Sequence, residues 1–409
     1  MTQDLLSPVA NLMFDEYYAR ASVQPPPGDP RIAFLLSQGP PRITYILNPD
    51  GTVPFVGTNY SGRSASWYDP NMRMPYIMNW SAGIQHQLAS AWLLELIYQG
   101  SAGVGLLNAW DVNAIPLDIS TDRTVLDRIY QATQNYKPYP QFGSITHWSN
   151  YGHNTYHGFT VRLEKRYSSG ITLNTFYTFS KTLDEADGEA SAGGITFYKR
   201  SLEKGRAGYD ITHRSVTTFQ YELPLGHGRR FLNNRGLLSR LIGNWDLTYV
   251  EYIQSGLPFG LSFSGSPYRY LPGGNRPNIS GTYQEAKVKN WSMGPNRFPT
   301  SAQNPFLHMS AFSYPPAYTV GGLGRNVFNG PRMLWTQGSL AKVVPIGERL
   351  KFIIRWDMNN IFKRAQLGRP NTTYDMRSPG TFARFTSEVG NFAEIGSRTH
   401  SILVVRLEW

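Results

Sequence analysis

The sequence contains no cysteine among its 409 residues. This absence excludes disulfide frameworks, Cys-ligated zinc, iron–sulfur clusters and thiol nucleophiles together. Charged residues are also scarce, at 16% of the chain against a usual ~25%. The sequence has no long apolar run, so we predict no transmembrane helix. Its first twenty residues lack both a basic start and an apolar core, and we therefore expect no signal peptide.

Aromatic and basic residues are abundant instead. The chain has 10 Trp, 25 Tyr and 21 Phe, and its hydrophobic content of 41% excludes disorder caused by low hydrophobicity. The formal net charge is +11, and Arg outnumbers Lys. A basic surface suits anionic lipid or the phosphates of lipopolysaccharide, although scattered solvated Arg side chains explain the charge equally well. No Lys/Arg run resembles a nucleic-acid-binding arm, so we predict no nucleic-acid partner.

Period-two alternation of apolar and polar residues dominates the chain and predicts strands with two different faces. In 158–166, for example, Phe159, Val161 and Leu163 alternate with Arg162 and Glu164. The nine predicted strands are 76–88, 92–99, 158–166, 171–182, 212–223, 244–264, 334–344, 349–362 and 401–409. One short helix is predicted, at 121–131, within a connection.

The connections between these strands alternate in length. The gaps at 89–91, 167–170, 225–243 and 345–348 are the shorter ones, whereas those at 101–155, 184–210, 265–332 and 362–398 are long. Short turns on one side and long loops on the other are typical of an outer-membrane β-barrel. The alternative is a soluble β-sandwich with an aromatic core. It is disfavoured because the opposite strand faces stay polar and Arg-rich.

The last strand carries the most specific short signal. Leu403, Val405, Leu407 and Trp409 alternate up to an aromatic final residue. This pattern looks like the strand that the outer-membrane barrel-assembly machinery recognises. We therefore predict that these four residues form an assembly signal.

Counting strands back from Trp409 predicts a partial barrel. If Trp409 lies on the periplasmic side, the four long gaps are extracellular and the segment before Tyr76 is extracellular too. About nine or ten strands then remain, whereas a closed barrel with both ends in the periplasm needs an even number, and an open sheet in lipid leaves unpaired backbone. We predict that residues 1–75 are an extracellular or irregular segment and that 76–409 are the C-terminal part of a larger antiparallel barrel.

Several segments, taken in order, resemble the TonB-dependent receptors that have an Oar-like β-barrel of the acidobacterial type. The resemblance covers roughly residues 55–409. The segments that carry it are WYDPNMRMPY (67–76), YQGS (98–101), PYPQFGSI (138–145), NTYHGFTVRLEKRYSSGITLNTFYTFSKTLD (154–184), YDITHRSVTTFQYELPLGHGRRF (209–231), GNWDLTYVEYIQSGLPF (243–259), GNRPNISG (274–281), GGLGRNVFNGPR (321–332) and ERLKFIIRWDMNNIFKRAQLGRPNTTY (348–374).

The resemblance implies an all-β protein of the cell outer membrane, with a barrel of 22 strands, an internal plug and often a carboxypeptidase-regulatory-like domain. It implies several partners: outer-membrane lipid and lipopolysaccharide, the barrel-assembly machinery, further N-terminal strands with the plug, the inner-membrane energy-coupling complex and an unidentified nutrient. The upstream parts are not recognisable in this sequence. We therefore expect the chain to correspond to the C-terminal portion of such a barrel.

Six polar residues project away from the apolar stripes of their strands and are predicted to face the barrel lumen. Arginine forks there suit carboxylates or phosphates of a ligand or of a plug loop. Pairing between neighbouring strands is the favoured alternative. The six residues are Arg162, Glu164, Arg166, Arg355, Asp357 and Asn359.

Two further clusters have metal-ligand chemistry. Asp184, Glu185, Asp187 and Glu189 could hold Ca²⁺ in a loop, and His147, His153 and His157 could bind a transition metal. Ordinary solvated loop residues are favoured in both cases, because neither spacing matches a known metal motif. No GxSxG or HExxH motif occurs. We therefore predict no catalytic site, no metal and no cofactor.

Three functions follow from these patterns. The favoured one is the barrel portion of a TonB-dependent outer-membrane receptor that binds and imports a nutrient. The first alternative is a barrel that anchors surface loops for adhesion or surface organisation. The second is a soluble β-rich carbohydrate-binding module.

Overall fold

A computed structural model describes residues 63–116, 120–140, 142–186, 197–234, 236–267, 275–292, 304–346, 350–388 and 399–409. Strands dominate this part of the chain. They are β1 (Arg63–Tyr68), β2 (Tyr76–Ala89), β3 (Trp92–Asp111), β4 (Phe142–Ser168), β5 (Ile171–Asp184), β6 (Gly205–Arg206), β7 (His213–Glu222), β8 (Trp245–Gln254), β9 (Pro258–Phe259), β10 (Ser262–Phe263), β11 (Asn278–Ile279), β12 (Phe312–Ser313), β13 (Phe328–Asn329), β14 (Met333–Ile346), β15 (Leu350–Asn359), β16 (Thr373–Tyr374) and β17 (His400–Glu408).

Helices are few and short. Helix α1 (Arg123–Gln131) matches the helix predicted at 121–131, and Asp122 caps it by accepting a hydrogen bond from the Thr124 amide. Helix α2 (Leu237–Ile242) follows β7. Single 3-10 turns occupy Thr133–Tyr136, Phe197–Glu203, Met309–Ala311 and Pro379–Thr381. Within the described residues, no helix is both long and apolar enough to span a bilayer.

The nine long strands form one open antiparallel sheet. Its order is β17-β15-β14-β8-β7-β5-β4-β3-β2, so each long strand pairs with the next one along the chain. This meander confirms the predicted fold class and the predicted set of nine strands. β2 and β17 are the two edges of the sheet, and no pairing between them closes it.

Three strand boundaries differ from the prediction by ten residues or more. β3 and β4 stay paired far beyond residues 99 and 158, because bulges on both sides of Leu106 absorb the register shifts and break the simple alternation. β8 ends at Gln254, ten residues before the predicted end at 264. Just beyond that end the chain passes close to Gly330, since a Cβ on Gly256 would lie 2.1 Å from the Gly330 carbonyl oxygen.

Strand β1 adds a parallel pairing to β4. Trp67 is in register with His147, on the edge of β4 opposite the one that β3 occupies, beyond the end of β5. β1 belongs to the segment 1–75, which was predicted to be extracellular or irregular. Residues 1–62 of that segment lie outside the described residues, and the division at residue 75 stays a prediction.

The connections fall into two groups at opposite ends of the sheet. The shorter ones, at 90–91, 169–170 and 223–244, are at one end, where β14 also ends and β15 begins. The long ones are at the other end, and the described residues of these four connections are called the cap below. The cap spans 112–141, 185–212, 255–332 and 360–399.

Candidate functional site

The strand register separates the sheet into an apolar face and a polar face. Residues directly opposite each other in an antiparallel pair point to the same side. Phe159, Val161 and Leu163 of β4 are opposite Phe179, Tyr177 and Thr175 of β5. At the far edge, Leu403, Val405 and Leu407 of β17 are opposite Trp356, Ile354 and Phe352 of β15. The predicted lipid-facing stripes therefore share one face of the sheet.

The apolar face carries a row of aromatic rings near its cap end. Tyr98, Phe159, Phe179 and His213 are successive cross-strand partners on β3, β4, β5 and β7. Tyr98 and Tyr177 also hydrogen-bond to His157 and His213 on this face, at 2.8 and 2.7 Å. Such aromatic belts are typical of the boundary between hydrocarbon and headgroups.

The polar face carries a ladder of hydrogen-bonded charged groups near the β2 edge. Gln85, Glu95 and Arg162 are in register on β2, β3 and β4. Gln85 donates to Glu95 at 2.6 Å, and a guanidinium nitrogen of Arg162 lies 3.5 Å from the second Glu95 oxygen. Arg162 also donates to Glu164 at 3.0 Å and to Asn174 of β5 at 3.1 Å. The Arg162 guanidinium thus contacts side chains of three strands, β3, β4 and β5.

The six residues predicted to face the lumen all lie on this polar face, but in two groups. Arg162 and Glu164 are in the ladder, and Arg166 approaches Glu164 at 3.9 Å. Arg355 pairs with Asp357 on β15 at 3.0 Å. Four strands separate β4 from β15, which corresponds to roughly 24 Å at about 4.8 Å per step. The six residues therefore do not form one compact site, and their contact with a lumen remains a prediction.

The sequence reasoning missed the partners of Arg162. Glu95 and Gln85 were not among the predicted site residues, because alternation is weak in the segment WLLELIYQG at the start of β3. The turn did not give the pairing either, because a regular hairpin at 90–91 would place Glu95 opposite His86, and the bulge between Gln87 and Ala89 brings Gln85 there instead.

The cap has its own aromatic core, built from two long connections. The β8–β14 connection supplies most of it, and the β15–β17 connection supplies the rest. Tyr374 donates to the Phe312 carbonyl at 3.1 Å, which fixes one connection against the other. The buried residues of this core are Phe259, Leu261, Phe263, Ala286, Leu307, Phe312, Tyr314, Leu323, Phe328, Tyr374, Phe382 and Ala383.

The β3–β4 connection is attached to the same cap through α1. Leu126 and Ile129, on the buried face of the helix, pack against Ile115 and Tyr318. The Tyr318 hydroxyl donates to Asp127 on the same helix. Because Tyr318 belongs to the β8–β14 connection, these contacts join a third long connection to the cap.

Three buried ion pairs hold the β5–β7 connection in place. Asp184 and Glu203 pair with Arg325 and Arg276 of the β8–β14 connection at 2.7 and 2.6 Å, and the carboxylates are only 5% and 4% exposed. Within the connection, Arg206 pairs with the buried Asp210 at 2.7 Å. Burial lowers the pKa of Arg276, while Glu203 opposes that shift. A guanidinium stays protonated even when buried, so the pair remains ionic.

Two hydrogen-bonded contacts join the β15–β17 connection to two of the other long connections. Arg369 of the β15–β17 connection donates to the Gly208 carbonyl at 2.7 Å. Asp375 accepts from Ser264 at 2.8 Å and pairs with Arg377. Hydrogen bonds from Arg377 hold the pKa of the Asp375 carboxyl well below its usual range. All four long connections are therefore linked to one another within the described residues.

Neither of the two clusters that have metal-ligand chemistry is assembled in the described part of the chain. Asp184 pairs with Arg325, and Glu185 pairs with Arg200 at 2.7 Å, while Asp187 and Glu189 lie outside the described residues. His147 contacts Tyr151 at 2.6 Å, His153 is exposed, and His157 contacts Tyr98 on the apolar face. Asp184 and Glu185 thus have arginine partners instead of Ca²⁺, and the three histidines have separate surroundings.

Comparison with known proteins decides the family. The profile of the outer membrane beta barrel domain matches residues 10–399. The chain belongs to this outer-membrane β-barrel family. Its location is therefore the outer membrane, where barrels of this kind carry long loops on the extracellular side and short turns on the periplasmic side. This location excludes a soluble carbohydrate-binding module.

The chain is also similar to solved structures. The outer membrane transporter YddB from Escherichia coli is similar to this barrel chain with a TM-score of 0.40 and 10% identity, over 85% of the chain. The match covers 34% of the transporter, so the chain spans about a third of the length of that protein. No curated protein matches the sequence significantly.

The final strand of the barrel chain leads to the first testable prediction. Trp409 follows β17 and is 92% exposed, beside the apolar stripe of Leu403, Val405 and Leu407. Replacing Trp409 by aspartate is expected to reduce insertion into the outer membrane, because it places a charge at the end of the predicted assembly signal. Surface levels and heat-modifiable migration in gels measure the effect.

The matched control for this substitution is Tyr130→Asp on α1, which changes an exposed aromatic side chain in the cap. That variant should insert normally. Equal surface levels for the two variants would show that Trp409 is not part of an assembly signal.

Proposed function

We propose that this barrel chain forms the C-terminal wall of a TonB-dependent outer-membrane receptor that imports a nutrient. The observation that carries the proposal is the cap. Its four connections are tied together by a buried aromatic core and buried ion pairs. A rigid extracellular surface of this kind can hold a ligand in a defined position above the wall.

The polar face supplies the second element of the proposal. The Gln85–Glu95–Arg162 ladder and the Arg355–Asp357 pair present both donors and acceptors on the side opposite to lipid. Charged groups of this kind can pair with a plug or contact a passing polar nutrient. We propose that the plug is moved by the inner-membrane energy-coupling complex, as the resemblance to TonB-dependent receptors implies.

The open edges of the sheet support a larger assembly. β2 is exposed along its whole length, and its unpaired backbone groups would face lipid. Each unsatisfied backbone group in hydrocarbon costs several kcal/mol. We therefore propose that further strands pair with β2 and β17 to close the barrel, with the barrel-assembly machinery catalysing that step.

The medium composition of mutant cultures tests this function. We expect that a strain of the source bacterium without this gene leaves a particular nutrient unconsumed. A strain without the inner-membrane coupling protein should leave the same compound, since energised import requires both. Mass spectrometry of the spent medium, compared with that of the parent strain, measures the effect.

A surface-adhesion role predicts a different result. The gene deletion would then reduce attachment to surfaces while the spent medium stayed identical to that of the parent. Restoring the gene with Arg162→Met provides a site-specific comparison, because it removes the shared guanidinium of the ladder without touching the cap. Normal nutrient consumption by the strain without this gene and by the strain without the coupling protein would contradict the import function.

A further inference from the structure

The periplasmic turn between β7 and β8, residues 223–244, has an unusual composition. It contains Arg229, Arg230, Arg235 and Arg240 and no Asp or Glu. It also contains α2, whose sequence LLSRLI is mostly aliphatic. The turn is therefore both basic and apolar, and it lies at the end of two strands whose apolar face meets lipid.

Helix α2 exposes its aliphatic side chains. Leu237, Leu238, Leu241 and Ile242 are 75%, 58%, 61% and 43% exposed, whereas Ser239 is 2% exposed. Positions i, i+1, i+4 and i+5 lie on one side of a helix. The helix therefore turns Ser239 toward the protein and presents an apolar surface outward.

The protein holds this helix firmly in that orientation. At its end, Gly243 lies so close to Gly226 that a Cβ on Gly243 would be 2.3 Å from the Gly226 Cα. The Asn244 amide donates to the Leu225 carbonyl at 2.8 Å, and Lys342 donates to the Gly243 carbonyl. The exposed apolar surface is thus a fixed feature of the turn.

This surface continues directly into the lipid-facing side of the barrel. β8 begins three residues after Ile242, at Trp245, and Leu247 on its apolar face is 37% exposed. Phe231, within the turn, is 51% exposed, and the Arg230 guanidinium lies 5.2 Å from its ring centre. Aliphatic, aromatic and guanidinium groups are therefore combined at one boundary.

We propose that residues 230–234 and 236–242 dock onto the periplasmic leaflet of the outer membrane. The α2 aliphatic side chains insert at the acyl-chain boundary, and the exposed Arg230 and Arg240 bind phosphates of the phospholipid headgroups, whereas Arg229 pairs with Glu222. Interfacial helices bind membranes through this combination of apolar area and basic charge. The guanidinium fork matches phosphate geometry. Lipid is the chosen occupant because the surface is continuous with strands that already face lipid.

Single nitroxide labels provide the test, and the absence of native cysteine makes each label unambiguous. The full chain carries Leu238→Cys or Leu241→Cys in nanodiscs of phosphatidylethanolamine and phosphatidylglycerol. Leu247→Cys on the apolar face is the lipid-exposed reference, and Arg128→Cys on α1 is the water-exposed reference. Electron paramagnetic resonance measures collisions of each label with oxygen and with a water-soluble nickel complex.

The docking model expects high oxygen and low nickel accessibility at 238 and 241, close to the values at 247. Adding Leu237→Asp and Ile242→Asp should restore nickel access at 238 while leaving position 247 unchanged. Nickel accessibility at 238 and 241 equal to that at 128 would overturn the proposal. Protection from both reagents would overturn it as well, since it would show a protein covering the turn.

Discussion

Phe328→Ala is expected to destabilise the cap by about 3–5 kcal/mol, the usual cost of truncating a buried phenylalanine. The Phe328 side chain is fully buried. Its ring centre lies 5.7 Å from those of Phe259 and Tyr283 and 5.9 Å from that of Phe312. Truncation would leave a cavity where these rings meet, and the partly fixed connections cannot collapse fully to fill it.

The effect should be local to the cap. Local unfolding of the cap and local unfolding of the nine-stranded sheet are separate events when few contacts link the two. Limited proteolysis of the full protein in membranes should therefore show cleavage within 255–332 that is faster by roughly a hundredfold or more. Protection of β4 and β5 should not change.

A matched control comes from the β15–β17 connection. Phe362 is 55% exposed, so Phe362→Ala should leave the cleavage rate of the cap nearly unchanged. Equal cleavage rates in the two variants would refute a cap stabilised by its aromatic core.

Arg325→Ala is expected to destabilise the cap by about 3–5 kcal/mol as well, through a different mechanism. Arg325 pairs with the Asp184 carboxylate and also donates to the backbone carbonyls of Asp184 and Glu203, both at 3.0 Å. Its removal strands a carboxylate that is only 5% exposed. A buried charge without its partner costs more than the pair itself contributes.

The same protease assay distinguishes a buried pair from a surface pair. Arg377 pairs with Asp375 in the same cap, but its side chain is 70% exposed. Exposed pairs contribute little to stability because solvent screens them, so Arg377→Ala should change the cleavage rate little.

A double variant separates charge from packing. Arg325→Met with Asp184→Asn removes both charges and should be less destabilising than Arg325→Met alone. A double variant that is at least as labile as the single variant would show that Arg325 acts mainly through its backbone hydrogen bonds.

Much of the wall could be predicted from the sequence, because period-two alternation fixes which side chains share a face. The division between Phe159, Val161 and Leu163 on one side and Arg162 and Glu164 on the other appears unchanged in the register of β4 with β5. The nine-strand meander followed from the same periodicity together with short turns. The sequence did not predict β1, which pairs with β4, or the strand ends where the bulges around Leu106 interrupt the pattern.

The candidate site was less predictable than the wall. Arg162 was correctly placed on the polar face, but its partner Glu95 depends on strand register rather than on alternation. Asp184 was interpreted as a possible Ca²⁺ ligand, although it pairs with Arg325, 141 residues away along the chain. No local pattern signals a partner at that distance.

The sequence by itself determined the membrane-facing stripes, the order of the strands and the contrast between short and long connections. These properties depend on each strand and its immediate neighbours, because every strand that crosses a bilayer exposes apolar side chains to lipid. The tertiary structure decided how the long connections fold. Their aromatic core and buried ion pairs join residues from separate connections, and such contacts have no period because each depends on packing between distant parts of the chain.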